Sequence, residues 1–103
     1  MAGCHSPWVQ TTVVNQQDAP VKLVQVSYPG GTFGVQTIAA HSNYHYHFRI
    51  LGTGQMSIDF TDATGQDHTV KGPELQPGQE GRLEIDIDPR QTVSWQPHLT
   101  MHR

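Results

Sequence analysis

The chain has 103 residues, of which 15% are charged, with a net charge of −3 and one cysteine. That length suffices for one domain with a single core, and the balance of residues excludes a basic nucleic-acid binder, a disulfide-stapled scaffold and a strongly self-repelling disordered chain. Nine Val, five Ile and ten Thr stand against five Leu and five Ala. This predicts an all-β fold, because branched side chains suit a pleated surface and crowd a helix.

In chain order, Trp8 to Asn15 predicts a first strand, and Asn15 to Pro20 a turn built on Asp18 and Pro20. Val21 to Tyr28 predicts a second strand with Val24, Val26 and Tyr28 on one face, and Lys22 on the same side at its exposed end. Pro29-Gly30-Gly31 ends it. Thr32 to Ile38 is a third strand in which Gly34 marks a bulge or a close backbone approach. Tyr44 to Ile50 is the fourth and most aromatic. Gln55 to Thr61 alternates Met56, Ile58 and Phe60 with polar residues, the pattern of one buried and one wet face. Asp62-Ala63-Thr64-Gly65 is a hairpin turn, and His68 to Lys71 a short return strand. Gly72 to Gly81, with two Pro and three Gly, reads as a loop. Arg82 to Asp88 alternates with Leu83, Ile85 and Ile87 inward, and Pro89 stops it for want of an N–H. Gln91 to Trp95 adds an edge strand before Pro97.

Seven or eight short strands at intervals of about 8 to 12 residues predict an antiparallel β-sandwich of immunoglobulin-like size, with a small barrel or jelly roll as the alternative. The domain is expected over residues 8–97, with residues 1–7 as a tether and 98–103 as a C-terminal tail. His98, Met101 and His102 mix copper-friendly donors, but at a terminus they are read as frayed.

The one thiol is Cys4, preceded by Ala2-Gly3 and followed by His5-Ser6-Pro7. Ala2-Gly3-Cys4 resembles the last positions of the bacterial lipoprotein processing site, with Met1 standing where that family has Leu. The chemistry behind the motif is that small residues admit the peptidase and the thiol accepts the lipid. The resemblance implies lipidation at Cys4, a membrane anchor in the natural form, and a place on the periplasmic side of the bacterial envelope, at the inner or the outer membrane.

Three of the seven histidines fall in His41-Ser42-Asn43-Tyr44-His45-Tyr46-His47. On a strand His45 and His47 share a face about 7 Å apart, a spacing that can place two imidazoles on one metal, with His41 swinging in from the preceding turn as a third ligand. Zinc or copper would suit them. The same residues also read as a solvated row, since Tyr44, Tyr46 and Phe48 on the alternate face are the better core residues and leave His45, His47 and Arg49 outside. The His-x-His is similar to the first cupin motif, but Ala39 stands where that motif has Gly, and its Glu ligand has no counterpart. Glu84, Asp86 and Asp88 form a second same-face row, which pairs with the histidine row if the two strands are neighbours.

No serine sits in a nucleophile elbow, the thiol has no positioned base, and the Gly-rich stretches join strand to strand with no helix behind them to cradle phosphate. The expected function is therefore non-enzymatic. It is a membrane-anchored interaction or structural module with a protein partner and no nucleic acid, the alternative being a periplasmic zinc or copper protein using His41, His45 and His47. Carbohydrate binding through Trp8, Trp95 or the tyrosines is a third class.

Overall fold

The computed structural model describes residues 8–101, so the tether and its Ala2-Gly3-Cys4 motif lie outside the described residues. Eight strands follow in order: β1 (Val9–Asn15), β2 (Val21–Tyr28), β3 (Gly31–Ile38), β4 (Asn43–Phe48), β5 (Gly54–Thr61), β6 (Asp67–Leu75), β7 (Gln79–Ile87) and β8 (Val93–Met101). They form two four-stranded sheets in the orders β4-β1-β7-β8 and β3-β2-β5-β6, with no helix among the described residues. The molecule is a β-sandwich, as the composition and alternation predict. One pairing departs from the antiparallel expectation: β1 runs parallel to β7, from Val9 opposite Gly81 to Asn15 opposite Ile87.

The core lies between the sheets. Val9 and Val13 of β1, Met56, Ile58 and Phe60 of β5, and Leu83, Ile85 and Ile87 of β7 are all buried, each on one face of its strand. Burying each such side chain contributes about 1.5–3 kcal/mol, so these three strands supply much of the stability. One open side of the sandwich is closed by rings from β3 and β4: Phe33 stacks on Tyr46 with centroids 4.3 Å apart and lies 6.2 Å from Phe48. On the opposite side Trp95 of β8 packs over Gly72 of β6.

Four expectations are corrected. In β2 the register against β5 gains one residue between Lys22 and Gln25. Leu23, at φ 52° and 62% exposed, is the extra residue of this bulge. The bulge resets the alternation, so Val21 rather than Lys22 joins Val24 and Val26 in the core. Gly34 is opposite Gln25, and a Cβ there would sit 2.7 Å from the Val24 carbonyl oxygen, which is the close backbone approach read from the sequence.

Second, Gly72 to Leu75 is strand, not loop, and the loop shrinks to the few residues before Gln79. β6 is an edge strand, and its register against β5 shifts between Gln55 and Ser57, where Gly72 and Pro73 are accommodated. Third, β8 runs straight through Pro97 to Met101, so His98 to Met101 belong to the sheet and are not a frayed tail. Both errors have one cause: an edge strand has a side where no N–H is required, and proline is tolerated there.

Fourth, the histidine row and the acidic row do not pair. They lie in one sheet and face the same way, but β1 stands between β4 and β7.

Candidate functional site on the outer face of one sheet

The site is built by register. Val9, Thr11 and Val13 of β1 are buried or face inward, which turns Trp8, Gln10 and Thr12 outward. Gln10 is opposite His47 on β4 and Arg82 on β7, and Arg82 is opposite His98 on β8. Thr12 is likewise opposite His45 and Glu84, and Glu84 opposite Gln96. Two polar rows therefore cross the four strands: His47-Gln10-Arg82-His98 and His45-Thr12-Glu84-Gln96. With strands about 4.8 Å apart, each row spans about 14 Å.

These rows floor a half-open hollow of about 860 Å³ lined by Gln10, Thr12, His45, His47, Arg82, Glu84 and His98. A second hollow of about 500 Å³ shares Gln10, Arg82 and His98 with it and extends toward Trp8, Glu80 and Thr100. Trp8 is 43% exposed, and its ring meets that of His47 edge-on, with centroids 4.8 Å apart. Together the two hollows make one groove over these strands that runs along them toward the indole.

The groove's polar groups are sparsely used within the protein. His45 Nδ1 shares a 3.0 Å hydrogen bond with the Thr12 hydroxyl. Among the described residues, Gln10, Arg82 and His98 have no side-chain hydrogen bond or ion pair. The next row along the strands is different. Asp86 is 4% exposed and accepts from Gln96 Nε2 at 2.7 Å on Oδ2, while Oδ1 has no partner among the described residues. Burial, then the neighbouring Glu84 carboxyl, pushes the Asp86 pKa up to about 6.

The three histidines singled out in the sequence separate. His45 and His47 share the groove face. His41 sits in the turn before β4 at φ 57°, with its Nε2 2.6 Å from Asp18 Oδ1 on an exposed surface. Among the described residues no group of three His, Cys, Asp or Glu side chains is arranged to hold a metal ion. Arg82, Gln10, Thr12 and His98 were missed as site residues. The outward alternation of Gln10 and Thr12 on β1 and of Arg82 on β7 was legible, whereas His98 was read as tail, and placing these residues beside His45 and His47 needs the pairing of residues about 35 to 70 positions apart, which local pattern does not carry.

Fold and groove together define a small β-sandwich with a polar, concave outer sheet face. No protein-family model matches the chain, and no curated protein matches it. An NMR structure of a protein from Eubacterium rectale is similar to this chain, with a TM-score of 0.63 at 20% identity over 93% of both chains. The likeness is one of fold.

Proposed function

We propose that this protein is a non-enzymatic binding module of the bacterial envelope, tethered on the periplasmic side through lipidated Cys4, and that it binds through the outer face of the β4-β1-β7-β8 sheet. The observation that carries this reading is the groove, in which Arg82, Gln10 and His98 are held on paired strands yet make no side-chain hydrogen bond to any described residue. Rigid strands fix the spacing of such groups, and donors and acceptors left without internal partners favour an external one. The anchor rests on the resemblance of Ala2-Gly3-Cys4 to a lipoprotein processing site.

Two measurements test the two halves. Mass spectrometry of the membrane fraction from cells expressing the gene with its own upstream sequence is expected to show a diacylglyceryl thioether on Cys4; an unmodified Cys4 removes the anchor. Sedimentation of the soluble domain with purified cell envelopes is expected to retain the wild type and release an Arg82→Ala/His98→Ala variant. Equal behaviour of the two removes the face.

A further inference from the structure

We propose that the ligand of this groove is a neutral oligosaccharide, lying on this sheet face with one ring against Trp8; this rests on the groove being the binding face. Three observations carry it.

The first is charge. Arg82 sits between Glu80 and Glu84, each two positions away on the same strand, and all three line the groove. Residues at i±2 on a strand share a face about 7 Å apart, so the Glu84 carboxylate by itself offsets the guanidinium and the two leave no positive excess with which to select an anion. A neutral ligand carries no such requirement.

The second is hydrogen-bonding chemistry. Gln10 offers a carbonyl oxygen and an NH₂, Arg82 a planar fork of donors, and Glu84 carboxylate acceptors. His47 and His98 each offer a donor and an acceptor when neutral. Hydroxyl groups, which both donate and accept, can use every member of this mixture. A peptide's main chain is served poorly, because β1 and β7 are internal strands whose backbone groups are already paired with neighbours on both sides. Strand addition needs an open edge, and this is a face.

The third is the indole. Trp8 is a large apolar ring kept 43% exposed beside the polar floor. An aromatic surface next to convergent polar groups suits a ring with an apolar C–H face and a hydroxylated rim.

The test is a titration of the ¹⁵N-labelled soluble protein, followed by amide and indole NMR shifts, with maltohexaose, cellohexaose and mannohexaose as neutral probes. A tri-galacturonate serves as the acidic probe. The expected result is saturable shifts centred on Trp8, Gln10 and Arg82 with at least one neutral hexasaccharide, insensitive to added salt. Affinity should fall at least tenfold in Trp8→Ala and in Arg82→Ala. Arg82 is exposed, so its variant keeps the test valid if Trp8→Ala perturbs the fold. No saturable shift with any neutral probe, shifts unchanged in both variants, or salt-sensitive binding of the galacturonate alone would each overturn the proposal. Envelope sedimentation separates the two levels: retention that still depends on Arg82 and His98 leaves the binding face standing while the glycan fails, whereas retention indifferent to them removes the face itself.

Discussion

Asn15 Nδ2 donates to the Ile38 carbonyl at 3.0 Å, and that bond joins the end of β1 in one sheet to the end of β3 in the other. The same amide also lies 2.9 Å from the Ala19 carbonyl and 3.1 Å from that of Ala39, and Asn15 Oδ1 accepts from the Gln17 N–H at 3.0 Å. Asn15 is fully buried. The side chain thus ties three chain segments together at one end of the sandwich while satisfying two buried backbone groups, the Ile38 carbonyl and the Gln17 N–H. Truncation leaves those groups buried without partners, and each such loss costs about 1–3 kcal/mol. Asn15→Ala is expected to destabilise the domain by about 2–4 kcal/mol in equilibrium urea unfolding. A loss below about 1 kcal/mol would show that the amide is not a tie.

At the other side of the sandwich the test residue is Gly72. A Cβ there would lie 2.6 Å from the Trp95 ring, and that ring is wedged between the edge strands of the two sheets. A rigid indole cannot yield as a flexible chain end does, so Gly72→Ala is expected to cost about 1–3 kcal/mol. Gly52 has nothing within 4 Å of such a Cβ, and Gly52→Ala is expected to stay within about 0.5 kcal/mol of wild type. Equal stability of the two variants in thermal unfolding would mean that Trp95 does not rest on Gly72.

How much of this was legible in the sequence varies with how local the information is. The alternation of Met56, Ile58 and Phe60 and of Leu83, Ile85 and Ile87 declares a buried face within each strand, and those six residues are buried. The turn at Asp62 was legible because Gly65 supplies the positive φ. Its twin was not. At Asp88 the same two backbone bonds recur, Asp88 N–H to the Thr92 carbonyl and Gln91 N–H to the Asp88 carbonyl, and Asp88 Oδ1 again accepts from the following N–H groups. The left-handed position there is occupied by Gln91 at φ 66°, not by glycine, so the signal is hidden. The bulge at Leu23 is defined only against its partner strand. The groove depends on β1 entering between β4 and β7, a long-range choice made by the whole core.

Asp62 gives a pH prediction. Its carboxylate accepts from the Thr64 hydroxyl at 2.6 Å, from the Thr64 and Gln66 N–H groups at 2.9 and 3.1 Å, and lies 2.7 Å from His68 Nε2. The bond from Thr64, then that from His68, holds its pKa well below the usual carboxylate range. A depressed folded pKa means stability that is present above the unfolded value of about 3.9 and is lost as the pH falls below it. Asp62→Asn is therefore expected to be less stable than wild type at pH 7, with the gap narrowing as the pH drops below about 4. A gap of constant size from pH 7 to pH 3 would show that the ionised form is not what the turn prefers.

Asp86 predicts the opposite sign. Its folded pKa is raised to about 6, by burial first and by Glu84 second. Above that pH the folded state must hold an ionised, buried carboxylate beside another one. Below the unfolded value of about 3.9 both states are protonated and the penalty is gone. Between those limits the folded state binds the extra proton, so this group makes the wild type more stable as the pH falls from 7 toward 4. Asp86→Asn removes the charge and keeps an oxygen that can accept from Gln96, the partner of Oδ2 at 2.7 Å. The variant is expected to exceed wild-type stability at pH 7.5 by on the order of 1–3 kcal/mol, with the advantage vanishing near pH 4. Paired urea titrations at the two pH values check it, and a variant no more stable than wild type at pH 7.5 would mean that Asp86 is not carrying a strained charge.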